Sequence, residues 1–278
     1  MNSILKILIL FIFAQILGLF TGYILFDDYT RNPYVSGFYI ESGFENSFFD
    51  IFLLFIFILI GTALMIIFLK HYRGEVFFIL FEFFLISVPS SIIFYSFSRL
   101  FSPYLESMAI GIFFGILLAG LRFKFNFLKN ICAVFASAGI GAVFGISFSP
   151  LFVLLFLIVL AIYDYISVFK TKHMVFLAKE IINRNIALTV SSEEIIGGKP
   201  KRSDLGTGDI IAPIMLSVSL LPVNIYASVF VVAGAFVSVF LMFYLLRDKK
   251  IVIPALPIIL AGMMIFLFLG YIFGIIIF

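Results

Sequence analysis

The chain has little of what soluble enzymes use for chemistry. Among its 278 residues there are one cysteine, no tryptophan and two histidines, and charged residues make up 12%. The single cysteine, Cys132, can form no internal disulfide and build no cysteine metal site. In its apolar run it reads as a small buried hydrophobe. The histidines, His71 and His173, each follow a lysine in an expected loop. A histidine metal site or a serine–histidine pair inside an apolar core therefore lacks its parts, and no HExxH stretch is present. The net charge of +3 is too small to argue for nucleic acid as a partner.

What is abundant is apolar surface. Hydrophobic residues are 64% of the chain, 40 of them phenylalanine, and the mean hydropathy is +1.26. A soluble domain is about 45–50% apolar and about 25% charged, so a soluble enzyme is excluded and the chain reads as a multi-pass protein of the cell membrane. A spanning helix needs about 20 mostly apolar residues. Nine segments qualify: 4–26, 48–69, 76–97, 108–121, 131–148, 151–169, 205–221, 223–246 and 253–278. The first is longer than the apolar core of about 7–15 residues in a signal peptide, so it reads as a span. The expected fold is an all-α polytopic membrane protein with nine transmembrane helices. Residues 1–278 form a single membrane domain, with spans one to six in 1–169, a cytoplasmic loop in 170–204 and spans seven to nine in 205–278.

Charge orients these spans. With the N-terminus in the cytoplasm, every lysine and arginine except Arg31 and Arg99 falls on the cytoplasmic side. The excess of basic residues on inner loops supports nine spans and a C-terminus outside. Within the 170–204 loop, Met174, Val175, Leu177, Ala178, Ile181 and Ile182 recur at helical spacing, which predicts an amphipathic helix at the interface. Residues 187–190 could pair as a strand. Residues 191–201, with Gly197-Gly198 and Pro200, are expected to be mobile.

Two aspartates fall within these spans, Asp164 near the end of the sixth and Asp209 near the start of the seventh. An ionisable residue in lipid marks a functional site by default. Asp164 lies six residues before Lys170, and Asp209 lies seven after Arg202, so antiparallel neighbours bring both to one level near the cytoplasmic leaflet. Two adjacent carboxylates cannot both ionise cheaply, so one keeps a proton near neutrality. The ionised partner can activate a water against a peptide carbonyl, while the protonated one polarises the carbonyl and later protonates the leaving nitrogen. Gly206 and Gly208 remove side chains beside Asp209 and let a substrate backbone approach. Tyr163 could orient or shield Asp164. Pro254, Ala255, Leu256 and Pro257 open the ninth span in the same leaflet, and the prolines disfavour regular helix there.

Tyr163-Asp164 in one span, Gly206-Thr207-Gly208-Asp209 in the next and Pro254-Ala255-Leu256 at the start of the ninth resemble the pattern of the presenilin and signal peptide peptidase family of GxGD intramembrane aspartyl proteases. The order of the motifs, their spans and the topology match over essentially the whole chain. Orientation and compact length are closest to microbial (archaeal) presenilin homologues. The resemblance implies that Asp164 and Asp209 are the catalytic pair, that Pro254, Ala255 and Leu256 shape the site, and that no cofactor or metal is used. It implies single-pass transmembrane proteins as substrates, unwound and paired as a strand near the segment before Gly206, with accessory subunits not required.

The rival readings use the same aspartates differently. A proton-coupled transporter or cation leak would make them relay groups or ion ligands; it leaves the flanking motifs unexplained, and no inverted repeat is visible. A prepilin peptidase also carries GxGD but lacks the proline–alanine–leucine element. Glu82, in the third span, could pair with an arginine or lysine or accept a backbone proton. Gln15, Asp50 and Asn224 read as interhelical or interfacial hydrogen-bonding residues.

Overall fold

In a computed structural model of the chain, the described residues are 3–31, 48–71, 75–170, 174, 177, 180–181, 186–196, 199–245 and 253–276. The helices are α1 (Ser3–Arg31), α2 (Phe48–His71), α3 (Glu75–Ser98), α4 (Tyr104–Lys124), α5 (Lys129–Ser147), α6 (Pro150–Phe169), α7 (Thr207–Leu220), α8 (Ile225–Leu245) and α9 (Ala255–Ile272). Among the described residues, eight of these are long and apolar enough to cross a membrane, and α7 is a shorter apolar helix of 14 residues. The protein is a predominantly helical multi-pass membrane protein, with one small sheet among the described residues.

Helix ends follow local chemistry. Ser149 caps α6 by accepting the Phe152 N–H, and Pro150 takes the first helical position, where no N–H is needed. The fourth helix is longer than the expected 108–121. It starts after Pro103 and runs on through Arg122, because Arg122 turns inward to meet Glu82 instead of ending the span at a polar surface. The first helix extends past residue 26 to Arg31, held by the Asp27–Arg31 pair at 2.9 Å one turn apart. The ninth stops short of residue 278. Gly274 adopts φ +66, and the N–H groups of Ile275 and Ile276 turn back to the Gly270 carbonyl. Residues 277–278 lie outside the described residues.

The connector before α7 departs most from expectation. Residues 174, 177, 180 and 181 are helical, as the apolar spacing predicts; the rest of that amphipathic stretch lies outside the described residues. The segment expected to be mobile is instead a hairpin, β1 (Thr189–Ile196) antiparallel to β2 (Lys199–Gly206). Gly197-Gly198, outside the described residues, connects the strands. The β-branched residues Thr189, Val190, Ile195 and Ile196 favour extended backbone in β1. Leu205 and Gly206, expected in the seventh span, close β2 instead, so α7 begins only at Thr207.

Register explains how a strand tolerates Pro200. Both backbone groups of Ser191 bond the Asn130 side chain on α5, so Ser191 and its partner Asp204 are a non-hydrogen-bonded pair whose backbone groups face away from the hairpin. Pro200 is four residues from Asp204 and shares that outward phase, so its missing N–H removes no ladder bond.

The core places α7 at the centre. It packs on α5, α8, α1, α6 and α9, and almost all of its residues from Ile210 to Leu220 are buried. α6 packs on α9, α7 and α2, while α2 is the least buried of the long helices and has α6 as its main partner.

Candidate active site

The helix that carries Asp209 begins at that residue's own motif. Gly206, with φ −66 and ψ 145, is the N-cap of α7, so Asp209 falls at the third helical position. A carboxylate there can reach back to the N-cap N–H, satisfying one of the donors a helix start leaves open. The Asp209 carboxylate does so with the Gly206 N–H. The hairpin makes this possible. Gly206 pairs with Thr189, two residues from the outward-facing Ser191 pair, so its N–H points away from β1.

Asp164 meets a different helix start. Pro254 is the N-cap of α9, Ala255 and Leu256 are its first residues, and all three are buried. The Leu256 N–H has no helical acceptor at this position and is directed at the Asp164 carboxylate. The third residue, Pro257, carries no N–H, which removes one further unmet donor from this turn. The structure thus brings Asp164 together with Leu256, and Asp209 with Gly206. The two aspartates are near enough to interact electrostatically. Both residues are half-buried.

The two glycines have unlike surroundings. A Cβ added at Gly206 would lie 3.1 Å from Asp209 Oδ2, whereas one added at Gly208 would meet nothing within 4 Å. Gly206 therefore leaves room for the carboxylate, and Gly208 leaves an open surface beside it. The ring of Tyr163 packs edge-on against Phe55 of α2, with centroids 5.5 Å apart. That contact ties Tyr163 to the neighbouring helix.

Several residues support the site. The sequence points to Gln15 and Glu82 as hydrogen-bonding or pairing residues, whereas Asn130, Lys129 and Ser3 are not evident in it. Gln15, fully buried on α1, donates to the Ile210 carbonyl at 3.2 Å, one residue from Asp209. Pro213 offers no N–H to the Asp209 carbonyl, so the first turn of α7 takes part of its support from outside the helix. Asn130 clamps β1, and Lys129 Nζ lies 3.4 Å from Ser191 Oγ. Ser3, in the first turn of α1, donates its N–H and hydroxyl to Glu194 Oε2 at 3.3 and 3.2 Å. Glu82 meets both of its anticipated partner types, Arg122 and a backbone N–H, that of Ala187.

The chain resembles known proteins in sequence and in fold. The sequence model of the family described as signal-peptide peptidase, presenilin aspartyl protease matches residues 40–278. No curated protein matches the chain. A presenilin-family intramembrane aspartate protease solved in space group C222 is 22% identical, with TM-score 0.70 over 97% of this chain and 99% of that one. Another, solved in space group P2, is 24% identical, with TM-score 0.63 over 94% of this chain and 96% of that one. At these identities the two structures speak to the fold, and the family match speaks to descent. By that match the chain belongs to the signal-peptide peptidase and presenilin family, and it is an intramembrane aspartyl protease.

Proposed function

We propose that Asp164 and Asp209 are the catalytic pair, and that they hydrolyse peptide bonds within the transmembrane helices of single-pass membrane proteins. The observation that carries this reading is the meeting of the two carboxylates at two helix starts, next to the unobstructed backbone at Gly208. A water held between them is deprotonated by the ionised aspartate as its oxygen bonds the substrate carbonyl carbon. The protonated aspartate hydrogen-bonds the carbonyl oxygen. When the C–N bond breaks, a proton passes to the leaving nitrogen, and the pair returns to its starting state with one proton shared.

A helical peptide bond is shielded by its own hydrogen bonds and side chains, so the substrate has to unwind. The outer edge of β2 supports a place for it. Among the described residues no other segment pairs with that edge, and strand addition holds an extended chain open. β2 leads directly into Gly206 and Asp209, so a paired substrate strand would run toward the carboxylates. The reading includes nine spans in the cell membrane, with the N-terminus cytoplasmic and the C-terminus outside, and activity without accessory subunits.

The test is proteolysis of a single-span helix in detergent by the wild type, Asp164→Ala and Asp209→Ala, with mass spectrometry locating the cut. Cleavage inside the helix, abolished in both variants, is the expected result. Equal cleavage by all three folded proteins would remove the aspartate pair. An aspartate-dependent ion flux in liposomes without any proteolysis would favour the transport reading.

A further inference from the structure

Glu82 is buried within α3, where a carboxylate without partners is costly. Its Oε1 lies 3.2 Å from Arg122 Nε on α4 and accepts a 3.0 Å hydrogen bond from the backbone N–H of Ala187. The two contacts differ in kind. The arginine balances the charge between neighbouring helices, and buried ion pairs of this sort can often be replaced by apolar residues at little cost. The second contact leaves the helix pair and ties down the chain just before β1.

That tie lies close to the aspartate site. Ala187 is fully buried, and the carbonyl of the next residue, Leu188, accepts the Thr207 N–H at 3.0 Å. Thr207 is the first residue of α7, two before Asp209. Two hydrogen bonds and one peptide unit therefore connect the Glu82 carboxylate to the start of the Asp209 helix. The other ties along β1, Asn130 at Ser191 and Ser3 at Glu194, lie progressively farther from that start.

We propose that Glu82 is a positioning residue for peptide hydrolysis. By accepting the Ala187 N–H it fixes the base of the hairpin, and so the placement of Gly206 to Asp209 and of the β2 edge relative to Asp164. This inference rests on the aspartate pair proposed above. It predicts that losing the acceptor changes where and how fast substrate is cut, beyond any change in stability.

Two double variants isolate the acceptor. E82Q/R122M removes both charges but leaves an amide oxygen facing Ala187. E82A/R122M removes the charges and the oxygen together. Both are compared with wild type for thermal unfolding, kcat, KM and the distribution of scissile bonds by mass spectrometry. E82Q/R122M is expected to keep the wild-type cleavage positions. E82A/R122M is expected to lose about 10- to 100-fold in kcat with KM little changed, and to spread its cuts over neighbouring bonds. If the two variants cut alike, in rate and position, the proposal is overturned.

Should E82A/R122M fail to fold, Glu82→Asp gives the same reading, since it keeps the charge beside Arg122 and withdraws the acceptor by one methylene. Spread cleavage is then expected, and wild-type rate and positions would overturn the proposal. Asp164→Ala and Asp209→Ala are run alongside. Cleavage surviving in those two removes the aspartate pair and this inference with it. Silence in those two with unaltered cutting by E82A/R122M removes the role of Glu82 alone.

Discussion

At Gly206 a single hydrogen stands where any other residue would press on the carboxylate of Asp209. Its backbone angles, φ −66 and ψ 145, suit any residue, so alanine strains no backbone there and, by restricting the unfolded chain, adds about 0.4–1 kcal/mol of stability against the small shift it forces on the carboxylate. Gly206→Ala is therefore expected to raise or preserve the unfolding temperature while lowering kcat about tenfold, because the displaced carboxylate no longer meets its partner in register. Thermal unfolding and turnover measured on one preparation check this, and a parallel loss of both would contradict it. The motif was legible in the sequence as two glycines beside an aspartate. Their division of labour was not, because it depends on which way the Asp209 side chain turns at a helix start. Tyr163 shows the same limit. Its place beside Asp164 is fixed by sequence, but the Phe55 ring that it meets comes from a helix far away in the chain.

Between helices in lipid, apolar burial gives little drive to associate, and close packing of small residues takes over. α7 is seated this way from two sides. Gly18 and Gly22 of α1, and Gly141 and Gly145 of α5, lie against Ile214 and Val218, one turn apart on α7. A Cβ at Gly22 would come within 2.6 Å of Val218 Cγ1, and one at Gly141 within 2.7 Å of Ile214 Cβ. A Cβ at Gly18 would collide with the Ile214 side chain. Gly18→Ala is expected to cost about 1–3 kcal/mol by overpacking. In an Ile214→Ala background the same change should cost close to nothing, a coupling that a double-mutant cycle of unfolding in detergent measures directly. Additive effects would mean that the contact does not carry the seat. The long spans were legible because each is a continuous apolar run. α7 was legible only in part: its last turns are apolar, but Leu205 and Gly206 are spent on a strand whose partner, β1, is rich in serine and glutamate and gives no apolar alternation to read.

Across the whole molecule, α1 is fastened at both ends. Ser3 is tied to Glu194 of the hairpin, and Asp28, about 37 Å away along the helix, is tied to the end of α3. There Arg99 grips Asp28 through Nε and Nη2, at 3.0 and 2.7 Å, and the Tyr95 hydroxyl donates to Asp28 Oδ2 at 2.6 Å. Donating to the Asp28 carboxylate holds the Arg99 guanidinium above its ordinary pKa. Removing the fork by Arg99→Met is expected to lower stability by about 2–3 kcal/mol, the usual worth of charge-assisted hydrogen bonds. Because this cluster sits at the end of α1 remote from the hairpin, the cleavage positions should stay where they are, which mass spectrometry of the products checks. Sequence placed Asp28 after the first span and Arg99 after the third, in successive outer loops; that they face each other follows only from the packing of α1 on α3.

One edge of the hairpin is already taken. The Asn130 amide occupies Ser191 on the outer side of β1, bonding both backbone groups as a neighbouring strand would, while no other strand pairs with the outer side of β2 among the described residues. A two-edged ribbon could recruit a guest from either flank and stack copies of itself into a growing sheet. Here Asn130 interrupts the β1 flank at Ser191, so a substrate strand that adds as proposed above would add along β2, and a second copy of the ribbon would meet a blocked position on the other side.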